Sequence, residues 1–365
     1  MNKTKGKKTK SIILTILVVL FIFFAQCPYT FFLKDTDEDY SHILKNVYDY
    51  NNSFGNVPVS EIAMLGSHDS LSSEIGFMSL PDKTRTKQRH DNFASNPFLY
   101  ILTHGVSIRL ARAQNKNVAD QLKAGSRYLD FRITDIDGVF YNSHGLLADR
   151  YENNLLRVLE FLDNNPGEFI IINILYYYYD SKTWDDLCDF MSNVKYNGKC
   201  IFDYVNYDTN TKDFSSITYN SLTNNGKKAG VLFISDEYDG SKYNTYFSLH
   251  NVYNRGCEEA NYKKIDSVIE QHIFEASKLG NGYLKVNQTQ ITPNVKGLFS
   301  VLVNWSLLRI SDKHNKIVLQ DSFENWLEDM PIYLTDGVTS SANNFNHRAN
   351  DIIIDYNKKL ADSHN

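Results

Sequence analysis

Cysteine is scarce in this chain, with four residues in 365, and no spacing among them resembles a zinc site. Cys27 belongs to an apolar amino-terminal run, which leaves Cys188, Cys200 and Cys257 for the body. Cys188 and Cys200 are close enough in sequence to close a short loop in an oxidising compartment, with Cys257 left over, but the sequence establishes no pairing. Basic blocks are missing from the body, as are interleaved aromatic and arginine runs, and the formal charge is -5. No nucleic-acid partner is expected from that balance. Internal repeats and a second composition regime are missing too. With 42% hydrophobic residues, the composition is that of one folded domain of the larger kind.

The amino terminus departs from this average. Lys3, Lys5, Lys7, Lys8 and Lys10 precede an uninterrupted apolar run from Ile12 to Ala25. A charged segment followed by such a run predicts export. If the apolar segment continues past Pro28 to Leu33, it reaches the roughly 20 residues that span a bilayer and becomes a signal anchor. The lysines would then stay inside and the body would face out. Residues 1–33 are therefore expected as a signal peptide or signal anchor, 34–56 as a linker, and 57–365 as the working domain. The product would be secreted or held at the cell surface. Asn51, Asn287 and Asn304 head glycosylation triplets.

Beyond the linker, short apolar runs alternate with longer helical patterns. The expected strands are Glu61–Leu65, Arg127–Thr134, Phe169–Tyr176, Val231–Ser235, Gly282–Val286 and Pro331–Thr335. Helical stretches include Tyr151–Asn164, Lys264–Lys278, Ser322–Asp329 and a closing helix His347–Ala361. A single α/β barrel of the TIM type, distorted, fits this count and length.

The unusual polar residues fall at strand ends. Alternate side chains of a strand share a face, so Tyr128, Asp130 and Arg132 point one way while Arg127, Leu129 and Phe131 point the other. An acid and a base on a barrel's inner face must pair with each other or engage a ligand, because burying either alone costs several kcal/mol. His68 and Asp69 follow a strand at its carboxyl end, where barrel enzymes assemble their sites. Asp336 ends the last strand, PIYLTD, in the corresponding place. Closure of a barrel sets first and last strands side by side, so Asp336 can reach His68. His144 closes the segment QLKAGSRYLDFRITDIDGVFYNSHG.

These residues stand in an order that resembles the X-domain of phosphatidylinositol-specific phospholipase C, in its bacterial, calcium-independent form. The residues that carry the resemblance are GSHDS around His68, QLKAGSRYLDFR through Arg132 and HG at His144. Gln114, NNPGEFIIINI from Asn164, GYLKVNQT from Gly282 and the PIYLTD strand with its following helix agree in order. The resemblance implies that His68 is the general base, supported by Asp336, and that it deprotonates the inositol 2-hydroxyl. Arg132 would contact a non-bridging phosphate oxygen. His144, partnered by Asp69, would protonate the departing diacylglycerol oxygen. A cyclic inositol phosphate would result. Glycosyl-phosphatidylinositol anchors are a further expected substrate, and the implied partner is a phospholipid at a membrane surface, with no obligate protein partner.

The chemistry asks for the same residue types. Imidazole takes and returns protons near neutral pH, and each such transfer is worth about 10²–10⁴ in rate. A planar guanidinium offers paired donors to a phosphate gaining charge. The set requires no metal and no cofactor, and Arg132 stands where a calcium-dependent relative would place a carboxylate. Bacterial relatives carry basic headgroup contacts where this chain reads Tyr176–Tyr179 and Ser235–Asp236–Glu237. Asp130, Tyr176 and Tyr178 are the candidate substrate contacts. A different headgroup, or a silent binding protein, are the alternative readings.

Overall fold

The computed structural model describes residues 34–84, 97–178, 180–211, 213–235, 238–247, 249–256, 265–290, 306–321 and 323–364, together with Ile13, Thr15 and Ile16. Nine strands form one sheet: β1 (Met64–Ser67), β2 (Ser126–Ile136), β3 (Val139–Ser143), β4 (Leu147–Arg150), β5 (Phe169–Tyr178), β6 (Gly230–Ile234), β7 (Val252–Arg255), β8 (Leu284–Gln288) and β9 (Ile332–Thr335). The helices used below are α1 (Ile43–Tyr50), α2 (Pro97–Ala111), α3 (Val118–Lys123), α4 (Tyr151–Asn164), α5 (Trp184–Asn193), α6 (Tyr219–Thr223), α7 (Ile265–Ala276), α8 (Leu307–Asp321), α9 (Phe323–Leu327) and α10 (Phe345–Ser363).

Seven of these strands run parallel in the order β6-β5-β2-β1-β9-β8-β7, and the β3–β4 hairpin extends β2 at one end. Among the described residues no pairing joins β6 to β7. The expected barrel is thus present as a curled sheet open on one side, not as a closed ring. First and last strands do lie side by side: Met64 to Ser67 pair in register with Ile332 to Thr335.

Strand parity divides the core in two. Tyr128, Ile171, Leu232, Val286, Ile332 and Leu334 pack inside the curl. Leu129, Phe131, Ile133, Ile170 and Ile172 pack outside, against Leu155, Val158 and Leu159 of α4 and Trp184 and Leu187 of α5. Parallel strands buried on both faces need such near-continuous apolar runs. The interior is tight at Gly66, where a Cβ would sit 3.0 Å from Leu334 and 3.2 Å from Tyr128.

Several elements differ from the sequence expectation. The first strand lies at Met64–Ser67, three residues beyond the expected start, because polar Ser67 continues the ladder with its hydroxyl 2.8 Å from that of Ser126. The short β7 and helix α2, which has no apolar periodicity, carry no sequence signal, whereas α5 and α8 are amphipathic and are not among the expected helices. The segment expected as a linker carries α1, with Ile43, Leu44 and Val47 buried. Glu168 receives the Lys45 amide at 2.8 Å and the Arg127 Nε at 2.7 Å, with both charged side chains fully buried. Cys188 and Cys200 are free and buried, and Asn287 lies buried in β8 where a glycan has no room. Among the described residues no helix is long and apolar enough to cross a membrane. Most of the expected export segment, Cys257 and Asn304 fall outside those residues.

The closing helix α10 holds the start of β1. Asn357 accepts from the Ala63 amide and donates to the Ala63 carbonyl, both at 2.9 Å. Asn346 and Asn350, one turn apart, donate to the Ala124 carbonyl at the end of α3. These contacts satisfy buried backbone groups that strand pairing leaves over. The Asn357 pair anchors the start of the strand that leads into His68.

Candidate active site

The carboxyl ends of β1, β2 and β9 converge on one cluster. His68 follows β1, and its Nδ1 lies 2.7 Å from Asp336 Oδ1 at the end of β9. Its Nε2 lies 2.9 Å from an Arg132 Nη. A guanidinium only donates. Nε2 therefore accepts, and the ring proton sits on Nδ1, pointed at Asp336. This is the tautomer a general base requires, with a lone pair aimed into the mouth and a carboxylate behind the ring.

His144 has the opposite surroundings. Its Nδ1 donates to the Ala111 carbonyl at 2.8 Å, and its Nε2 lies 3.0 Å from Asp69 Oδ2. Both nitrogens face acceptors, an arrangement from which a ring can donate. Ala111 ends α2, so its carbonyl is one that the helix leaves over. The two imidazoles stand 6.2 Å apart, edge to face. One is set to receive a proton and the other to give one.

Asp69 is buried between the cations. It contacts Arg132 Nε, His144 Nε2 at 3.0 Å and His68 Nε2 at 3.4 Å. Burial pushes its carboxyl up, but Arg132, His144 and His68 outweigh that and hold it well below the usual carboxylate range. Its backbone is left-handed at φ 45°, a conformation that aspartate and asparagine tolerate better than most residues. Asp130 holds the turn by accepting from the Asp69 amide at 3.1 Å.

For His68, burial pushes the ring down while Asp69 and Asp336, with the Asp336 hydrogen bond, push it up against the opposing charge of Arg132. The balance lies above the ordinary imidazole value. His68, Asp69 and Asp130 each bring one potential ligand atom within 4.8 Å of the others, a spacing a cation could use. The Arg132 guanidinium contacts all three residues, to Asp130 at 3.4 Å. A permanent positive charge stands where such an ion would bind.

His68, Asp69, Arg132, His144 and Asp336 are thus brought together. Asp130 is part of the cluster, but it sits 3% exposed beneath the guanidinium, bracing Asp69 and Arg132 and not lining the mouth. Tyr176 is a correction. It lies on the outer face of β5, in step with Ile172 and Ile174, where its hydroxyl donates to Asp135 at 2.8 Å and its ring packs on Trp184. Parity excludes it from the site. The Tyr178 side chain is outside the described residues.

Two residues went unassigned at the sequence level. Gln114 donates to the carbonyls of His68 at 2.8 Å and Thr335 at 3.0 Å and accepts from the Val338 amide at 3.0 Å, fastening the β1–β9 seam. Ser311 on α8 approaches Asp336 at 3.3 Å. Gln114 stood out in the sequence only as part of a familiar order, and Ser311 carried no signal.

No family model matches the chain. It is 30% identical over 129 residues to the human PI-PLC X domain-containing protein 2, a match covering 34% of this chain and 40% of that protein. It is 29% identical over 130 residues to the variant-surface-glycoprotein phospholipase C of Trypanosoma brucei brucei, covering 33% of this chain and 35% of that enzyme. The chain thus spans well under half the length of these curated relatives. In fold it is similar to the phosphatidylinositol-specific phospholipase C of Staphylococcus aureus, with a TM-score of 0.58 at 15% identity, covering 86% of this chain and 98% of that one. The Listeria monocytogenes enzyme of the same specificity gives a TM-score of 0.50 at 19% identity, covering 83% and 95%. Sequence and fold together make this chain similar to the phosphatidylinositol-specific phospholipase C X-domain proteins, as its motifs imply.

Proposed function

We propose that this protein cleaves the phosphodiester of phosphatidylinositol-type lipids by metal-free acid–base catalysis, releasing diacylglycerol and a cyclic inositol phosphate. The observation that carries this reading is the contrast between the histidines: His68 offers a lone pair backed by Asp336, and both nitrogens of His144 face acceptors. His68 Nε2 takes the proton of the hydroxyl next to the phosphoester. That oxygen forms a bond to phosphorus as the bond to the glycerol oxygen breaks, and His144 protonates the departing oxygen. Arg132 donates to a non-bridging oxygen and stabilises the charge gathered there. A phosphate within reach of the guanidinium also competes for the donor that otherwise caps His68, freeing its lone pair.

Metal independence is supported by the guanidinium that occupies the cation position. A lipid substrate is supported by the rim of the mouth. Phe77, Met78 and Leu80 are 65%, 86% and 60% exposed, an unusual density of bare apolar side chains for one short segment. That segment joins the His144 loop: Leu80 accepts from the Leu147 amide at 2.8 Å, and the Asp82 amide donates to Gly145 at 3.1 Å. Insertion of these side chains into a bilayer would bring the mouth to the headgroup layer. Export, to the medium or the cell surface, rests on the lysine-flanked apolar run alone.

The test is to incubate the purified chain with vesicles of phosphatidylinositol, and separately of other phospholipids, in excess chelator, and to identify the water-soluble product. A cyclic inositol phosphate is expected. Release of another headgroup phosphate would move the assignment to a different lipid. No release from any vesicle would leave a silent binding protein. The amides Asn254, Gln288 and Gln290 form a linked row at the carboxyl ends of β7 and β8, the end of the sheet that carries the His68 cluster.

A further inference from the structure

Asp336 is fully buried, and a buried carboxylate needs a donor for each oxygen. Oδ1 receives His68 Nδ1 at 2.7 Å. Oδ2 receives the hydroxyl of Ser311 at 3.3 Å, from a side chain itself 2% exposed. The same hydroxyl lies 3.1 Å from the Leu307 carbonyl one turn back, the usual resting partner of a serine inside a helix. A serine has one hydrogen to give, and an ionised carboxylate is the stronger acceptor. One turn further along α8, Asn315 donates to the Asp336 carbonyl at 3.3 Å and accepts from the Thr335 hydroxyl at 2.9 Å. A single helix face therefore grips the end of β9, Ser311 at the Asp336 carboxylate and the Asn315 side chain at the Asp336 carbonyl and the Thr335 hydroxyl.

We propose that Ser311 is a positioning residue for the proposed reaction: its hydroxyl holds the Asp336 carboxylate in the plane and rotamer that direct Oδ1 onto His68. The proposal rests on the phospholipase reading for its effect on turnover, but not for its effect on the histidine. A donor at Oδ2 draws negative charge away from Oδ1. Without it, more charge acts on the His68 ring and the ring holds its proton more tightly. Among the described residues, the other charged or titratable groups facing that ring are Asp69, Asp130, Arg132 and His144, and no hydrogen bond or ion pair between them and Ser311 is present. Asp312, the next residue on the helix, turns to the Ser340 hydroxyl.

The experiment compares Ser311→Ala and Ser311→Thr with the unaltered chain. Alanine keeps the helix, having the higher helix propensity, so folding is not at issue. Loss of a hydrogen bond to a charged group should lower kcat on phosphatidylinositol vesicles roughly tenfold, with KM little changed. The acidic limb of kcat/KM should move to higher pH, and the His68 ring midpoint, read by NMR without substrate, should move the same way. Threonine retains the hydroxyl and should restore both. An unmoved His68 midpoint in Ser311→Ala, or a threonine variant that behaves like alanine, would overturn the proposal. If the unaltered chain releases nothing from phosphatidylinositol, the reaction falls, while the substrate-free titration still decides the role of Ser311.

Discussion

His68 Nδ1 lies 2.7 Å from Asp336 Oδ1, a bond between residues 268 apart in the chain. It crosses the seam where the first and last strands pair. Removing the ring by His68→Ala should cut turnover by about 10²–10⁴ without unfolding the protein. Asp336→Asn keeps the ring and withdraws its charge partner, so its loss should be smaller yet clear. Steady-state rates of the two variants check the order. An Asp336 variant as active as the unaltered chain would separate the carboxylate from the reaction.

The pH dependence follows from the environment of His68. Its proton is held above the ordinary imidazole value because Asp69 and Asp336 outweigh burial and Arg132. A general base works when neutral, so kcat/KM should rise with pH through a midpoint above about 6.5. The same shift affects folding. A raised folded value means that protonated His68 contributes stability fully present below about pH 6.5, which fades as the pH rises through the folded midpoint. A rate profile whose acidic limb lies at or below the free imidazole value contradicts the geometry.

Asp69 combines a charge with a left-handed backbone, and the two can be separated. Asn tolerates φ near 45° and has nearly the same shape, so Asp69→Asn removes only the negative charge between Arg132 and the histidines. Turnover should fall by about 10² or more, with the urea midpoint close to that of the parent. Asp69→Ala adds backbone strain and should also lower the midpoint. Equal midpoints for the two variants would show that the turn carries no strain.

Arg132→Lys should be damaging although it keeps the charge. The guanidinium reaches Asp69 through Nε and both Asp130 and His68 through one Nη, a fork that a lysine ammonium lacks. A loss of about 10² in kcat is expected. Excess chelator should leave the parent rate unchanged. A rate that collapses in chelator and returns with calcium would replace the guanidinium mechanism with a metal-assisted one.

Far from the mouth, Arg127 and Glu168 form a fully buried pair that also binds the backbone of the amino-terminal segment. Arg127→Met leaves the carboxylate unpaired and should cost about 3–5 kcal/mol in urea unfolding, with activity per folded molecule retained. A change below about 1 kcal/mol would mean that other donors replace the guanidinium.

Local chemistry already written in the chain accounts for much of this. Strand parity placed Asp130 and Arg132 together on the inner face. The apolar runs located six strands to within a few residues, and residues 345–363 form the closing helix expected at 347–361. The order of His68, Arg132, His144 and Asp336 named the chemistry, because motif residues sit at strand ends wherever the strands go. Tyr176 was misread since a run of tyrosines carries no mark of which parity is inner. The linker was misread since its apolar residues are few and their burial depends on what packs above them.

Tertiary structure alone decided the rest. Whether the ring closes depends on pairings between strands distant in sequence, and no local pattern records that β6 and β7 stay apart among the described residues. The hydrogen-bonding surroundings of each histidine come from other elements, Arg132 and Asp336 for one ring, Ala111 and Asp69 for the other. Hydrogen-bond direction is a property of neighbours in space, so the sequence offered the two roles only through a family resemblance, and the physical reason for them lies in the partners that folding brings to each ring.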